Sequence, residues 1–223
     1  MRRFDSTGPG VASERRRRRH HFAAVDTARG RRYGSFDVRV LLDRIRVGDV
    51  ELELLRPAAP DALIDEEAFA DDEFLPYWAE LWPAATALAE ALPDVAGLRV
   101  IELGCGLGLP SLVAAARGAD VTATDWAADA IDLVHENAAR NGLQLRAERW
   151  DWREPRAERY DLALAADVLY ERRNVEPLVA RLRGLAPVAY VGLAGRPYEA
   201  EFLRSVGETE RVADRVVVVR ASG

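Results

Sequence analysis

The run "VIELGCGLGLPSLVAAA", Val100 to Ala116, sets the tightest limit on how this chain folds: an apolar stretch, three glycines within five residues, then a helical pattern. Apolar runs and helical patterns keep alternating from there to the C-terminus. "LRVIEL" reads as a strand, "PSLVAAAR" as a helix ending at Gly118, "DVTATD" as a strand and "AADAIDLVHENAARN" as a helix stopped by Gly142. "LRAERW" and "YDLALAADVL" read as strands, "NVEPLVARLRGL" as a helix capped by Asn174, "VAYVGLA" as a strand, "PYEAEFLRSV" as a helix and "RVVVVRA" as a final strand. Strict alternation implies a parallel sheet covered on both faces, a doubly wound α/β fold.

Upstream the pattern changes. Residues 35–55 alternate apolar and polar positions around Gly48-Asp49, which fits a β-hairpin. The stretch "RPAAPDALIDEEAFADDEFLPYWAELWP" is acidic and punctuated by proline, the expected lid or entrance, leading into a helix at about 83–92 with Pro83 in its first turn. Residues 1–32 carry ten Arg against Asp5, Glu14 and Asp26 with little apolar periodicity, so a disordered, solvated tail is expected. A basic tether for nucleic acid or a membrane surface and an Arg-rich transit peptide are the alternatives for it. The chain thus divides into a tail (1–32), an N-terminal appendage (33–73) and the α/β domain (74–223).

Composition narrows the chemistry. With Cys105 as its single cysteine and three histidines, the chain offers neither an intramolecular disulfide nor a spaced metal-ligand set, so no metal is expected. No apolar run approaches the ~18 residues of a membrane span, and "ERRRRRHHF" lacks the apolar stretch of a secretory leader, which makes the cytoplasm the expected compartment. All 31 basic residues are Arg and none is Lys, read as the codon bias of a GC-rich genome. Beyond residue 32 stand 21 Arg against 34 Asp and Glu, a balance that attracts cations and argues against a nucleic-acid surface on the folded part.

The glycine turn is the expected ligand site, because open α/β sheets bind ligands at the carboxyl ends of their strands. A dinucleotide fingerprint starting at Gly104 needs a glycine at 109, where this chain has Leu109. The spacing is instead Gly104, Gly106, Gly108 behind Glu102, which lets the backbone approach a bulky nucleoside without centring on a pyrophosphate. Asp125 ends the second strand, where a carboxylate can accept from both ribose hydroxyls or cap the following helix. In "RWDWREP" at the end of the third strand, Asp151 is a candidate for an adenine amino group and Trp152 for the base; a polar loop with a core indole is the plainer alternative.

These residues resemble class I methyltransferases that use S-adenosyl-L-methionine, over about residues 74 to 205. "ELGCGLG", "TATDW" and "DLALAADVLYE" are similar to the first, second and fourth motifs of that superfamily. "PYWAELWPAATALA" together with "DVLYE" is similar, more narrowly, to the lysine-directed group that includes the electron-transfer-flavoprotein β-subunit lysine methyltransferase. The resemblance implies a Rossmann-like domain in which Glu102 and the glycine turn hold the methionine portion and Asp125, followed by Trp126, the ribose. It places Asp151 and Trp152 around the adenine, Trp82 near the cofactor, Ala166 at the pocket wall, and Asp167 and Tyr170 facing the methyl group. Base-directed relatives carry an Asn- or Asp-Pro-Pro-Tyr sequence where this chain has "DVLY", so nucleobase amines are not the expected acceptors.

The implied function is N-methylation of a protein lysine, with a small amine or a non-catalytic cofactor-binding module as alternatives. Methyl transfer from a sulfonium is an in-line displacement needing a neutral nucleophile ~3–3.5 Å away, so positioning supplies much of the rate. A lysine amine with a reference pKa of ~10.4 must be accepted as a cation and then attack as a neutral amine. Asp167 supplies attraction and a hydrogen-bond acceptor, as a general base or without proton transfer, and Tyr170 a ring face or hydroxyl. Tyr77 and Trp78 are read as lid packing, and Cys105 as a small filler.

Overall fold

The computed structural model describes residues 23–33, 36–63 and 76–221. Residues 1–22 of the expected tail and residues 64–75 of the expected entrance lie outside the described residues. The N-terminal hairpin forms as read: β2 (Phe36–Val47) pairs antiparallel with β3 (Val50–Pro57), and Gly48, at φ +61, opens the turn between them. One part of the tail is corrected. Ala23–Tyr33 is a strand, β1, paired antiparallel with β2 from Ala23↔Arg44 to Tyr33↔Phe36. It is joined through backbone hydrogen bonds, and "AAVDTARGRRY" lacks the apolar alternation that would announce a strand.

The main sheet runs β6-β5-β4-β7-β8-β10-β9. Its strands are β4 (Arg99–Leu103), β5 (Asp120–Asp125), β6 (Arg146–Arg149), β7 (Leu162–Ala166), β8 (Val188–Gly192), β9 (Thr209–Ala213) and β10 (Val216–Arg220). The helices are α1 (Pro83–Glu90), α2 (Leu109–Ala116), α3 (Ala128–Arg140), α4 (Val175–Leu185) and α5 (Glu199–Val206). The strands from β4 to β8 are parallel, as expected. The wholly parallel sheet is corrected at one edge, where β10 runs antiparallel to both β8 and β9. β9 has no counterpart in the sequence reading: "TERVA" sits at an edge with no fully buried residue and carries no core signal.

Period-two alternation assigns the core to two faces. Val100 of β4, Leu162 and Leu164 of β7 and Val216 of β10 meet Leu88 of α1, Leu112 of α2, Leu133 of α3 and Leu54 of β3. Their neighbours Ile101, Leu103, Ala163, Ala165, Val217 and Val219 meet Leu178 and Leu182 of α4 and Phe202 of α5. Each fully buried leucine of this kind contributes about 1.5–3 kcal/mol. Because β5 and β6 extend one way from β4 while β7 and β8 extend the other, the order reverses beside β4, and a crevice opens at the carboxyl ends there.

The hairpin is tied to the domain by two asparagines of α3 and the residue after it. The Asn137 side chain accepts from Leu55 N at 2.7 Å and donates to Leu55 O at 3.1 Å; Asn141 does the same for Glu53 at 2.8 and 2.7 Å. These amides complete the outer edge of β3, which would otherwise leave buried backbone groups without partners. Asn137→Ala is expected to lower stability in urea titrations by about 1–3 kcal/mol for each group orphaned. An unchanged unfolding midpoint would contradict this role.

Candidate active site

The turn between β4 and α2 relies on glycine at its contact points. Gly104 sits at φ +65, and a Cβ there would lie 2.9 Å from both the Trp152 ring and the Val168 side chain. Gly106, at φ +50, would bring a Cβ 3.1 Å from the carbonyl oxygen of Trp78. The entrance segment thus packs its backbone directly onto the turn, at a φ that L side chains rarely adopt and with little room for a Cβ.

Two buried acids hold the turn in place. Asp125 accepts from Gly106 N at 2.9 Å through Oδ2 and from Ala127 N at 3.0 Å through Oδ1, bridging the turn to the end of β5. Glu102 accepts from Ser111 N at 2.9 Å and also from the Ser111 hydroxyl, capping the amino end of α2, whose Ncap Gly108 has no side chain to do so. Burial raises both carboxyls. Asp125 rises against the pull of its backbone donors, and Glu102 is pushed up to about 8 by burial, despite Ser111 and with a smaller push from Asp125.

A cleft at these strand ends is lined by Trp82, Glu102, Gly104, Gly106, Gly108, Asp125, Trp126, Trp152, Ala166, Asp167 and Tyr170 of the sequence-derived set. Asp151 alone of that set is not in the lining: its carboxylate is gripped by the Arg153 side chain and backbone N–H, and Arg153 holds it below the usual carboxylate range. Trp152 serves the cleft and the second core cluster at once. Trp126 stands at the rim, 37% exposed. Cys105 is buried in the turn, and burial with the nearby Asp125 and Glu102 charges pushes its thiol well up, as suits an uncharged filler.

At the other end of the cleft, Asp167 follows β7 in a left-handed conformation, φ +55, with its N–H donated to Gly192 O at 3.0 Å. Its carboxylate is not free. Arg196 donates Nε to Oδ1 at 2.7 Å and Nη2 to Oδ2 at 2.9 Å, and its Cζ lies 5.1 Å from the Trp82 ring centre. Burial, with the Asp125 and Glu171 charges, pushes the Tyr170 phenol up to about 12, so it stays protonated. Asn174 does not cap α4 as expected; its side chain donates to Val168 O at 3.0 Å and fixes the loop carrying Tyr170.

The sequence reading missed two features. Tyr77 and Trp78, read as lid packing, also line the cleft, and the Tyr77 ring lies 4.8 Å from that of Tyr170. Arg196 carried no signal at all, because only the meeting of the loops after β7 and β8 brings it to Asp167.

The lysine methyltransferase family model matches residues 77–203. EEF1A lysine methyltransferase 3 of Mus musculus is 33% identical over 117 residues, 48% of this chain and 50% of that protein. Protein N-lysine methyltransferase METTL21A of Danio rerio is 36% identical over 122 residues, 48% of this chain and 55% of that protein. The chain therefore spans about half the length of the curated relatives it matches. In fold, a T. thermophilus 16S rRNA methyltransferase solved with AdoMet and guanosine superposes with TM-score 0.60 at 20% identity, over 90% of this chain and 58% of that one.

Glu102 yields a stability test. An unfolded chain gives up the Glu proton near ~4.3, whereas the folded chain keeps it until about 8. Between those values the folded state binds the extra proton, so stability falls as pH rises through the window. Glu102→Gln is expected to remove a slope on the order of 1 kcal/mol per pH unit from denaturation curves between pH 5 and 8. Parallel curves for the two proteins would contradict the buried, raised carboxyl.

Proposed function

From the lysine methyltransferase family, to which this chain belongs, we propose that it transfers a methyl group from S-adenosylmethionine to the side-chain amine of a protein lysine. The observation that carries this reading is the arrangement of three buried acids, Glu102, Asp125 and Asp167, around one cleft walled by Trp82, Trp126, Trp152 and Tyr170. Buried acids and aromatic faces suit a ligand that is both cationic and flat. When bound, the cofactor supplies a methyl group activated by its sulfonium.

The chain's residues have distinct tasks in this reading. Glu102 and the glycine turn hold the ammonium-bearing methionine end, and Asp125 the ribose, through the acceptor capacity that its backbone amide donors leave. Trp152 and Trp126 flank the base. Asp167 accepts an N–H of the acceptor amine and fixes its direction, while Tyr170, a neutral phenol, adds a ring face without adding charge. The acid-rich surface beyond residue 32 favours approach of a basic protein segment.

These 223 residues contain no lysine, so any methyllysine formed lies outside them. Incubation with methyl-tritiated S-adenosylmethionine and a cell lysate is expected to label a protein band whose hydrolysate contains methyllysine. Asp167→Ala is expected to lower that labelling at least about 10²-fold, the usual scale for losing a positioned polar catalytic group. Label confined to small amines would replace the protein substrate by a metabolite. Wild-type labelling by Asp167→Ala would remove Asp167 from the role.

A further inference from the structure

The loop between β8 and α5 is shaped to deliver one side chain. Glu199 closes it by accepting from Ala194 N at 2.6 Å and Gly195 N at 2.8 Å through a single oxygen. The result aims Arg196 at both oxygens of Asp167 and lays its guanidinium over Trp82, itself tied to the entrance segment by its Nε1 donating to Tyr77 O at 2.8 Å. Asp167, 2% exposed at its side chain, is therefore met by a positive charge before any acceptor arrives.

That pairing bears on the chemistry of an amine acceptor. Only the neutral amine carries the lone pair that forms the new N–C bond as the S–C bond breaks; an ammonium carries none. A bare buried carboxylate stabilises the ammonium and raises the pH at which its proton leaves. A guanidinium on the same carboxylate opposes this, yet leaves each oxygen a lone pair for an N–H.

We propose that Arg196 is a positioning residue that acts as the electrostatic counterweight to Asp167, presetting its carboxylate for the acceptor amine and preventing it from trapping that amine as an ammonium. The inference rests on the amine-methylation reading above. Among the described residues, the other titratable groups of the cleft lining are Tyr77, Glu80, Glu102, Cys105, Asp125 and Tyr170, with Glu199 behind Arg196, while Glu171 beyond Tyr170 is ion-paired with Arg173. Arg196 is the cation that meets Asp167 directly among the described residues.

The test titrates n-butylammonium chloride into the full-length protein saturated with S-adenosylhomocysteine, comparing wild type, Arg196→Met, Arg196→Gln and Arg196→Lys at pH 7. The Met and Gln variants are expected to bind the ammonium about tenfold more tightly than wild type, and the Lys variant to return toward the wild-type value. In the lysate assay, the acid limb of the methylation rate is expected to rise by about one pH unit in the two neutral variants and to recover in Arg196→Lys. Retained S-adenosylhomocysteine binding shows that the variants are folded. Neutral variants that bind butylammonium no more tightly than wild type would overturn the counterweight role. A wild-type protein that methylates no lysine would refute the functional reading instead, and the butylammonium arm would still decide Arg196.

Discussion

Trp152 and Val168 press on Gly104 from one side while the Trp78 backbone presses on Gly106 from the other, and the site depends on that close packing. Glycines at Gly104 and Gly106 let three distant parts of the chain converge at one point: the entrance segment, the segment after β6 and the loop after β7. Left-handed backbone at these glycines makes the approach sterically possible, and the Asp125 bonds to Gly106 N and Ala127 N keep the turn in that shape. The cleft is a consequence of this geometry, as its walls are the same residues that pack the turn.

Burying acids around such a cleft is unfavourable unless each is compensated, and the three acids here are compensated differently. Glu102 keeps its proton to about pH 8 and takes two hydrogen bonds from Ser111; Asp125 takes backbone amides; Asp167 takes a guanidinium. A cationic ligand favours the ionised form of Glu102, whereas Arg196 already balances Asp167. In the proposed function this difference suits a cleft in which one end holds a charged cofactor and the other receives an amine that must be neutral when it attacks.

Much of this was legible in the chain because parallel strands buried on both faces read as continuous apolar runs, as in "VIEL" and "LALAA". The glycine turn, Glu102, Asp125 and the "DVLY" loop were legible because each lies at the end of such a run, where an α/β sheet places its ligands. What stayed hidden has physical reasons. β1 is held by backbone pairing and β9 by an exposed edge, and neither carries an apolar alternation. Arg196 is 29 residues from Asp167 and joined to it only by the side-by-side placement of β7 and β8. Asp151 looked like a ligand group from its place at a strand end, but Arg153, two residues on, turns its carboxylate to itself.

In the proposed function a methyl donor binds along these strand ends with its sulfur toward Asp167. A crystal structure of the protein grown with S-adenosylhomocysteine tests it most directly. The amino-acid end is expected beside Glu102 and the glycine turn, the ribose hydroxyls on Asp125, and the thioether sulfur opening toward Asp167 and Tyr170. Density for the ligand elsewhere on the molecule, or with its sulfur turned toward Trp126, would contradict it.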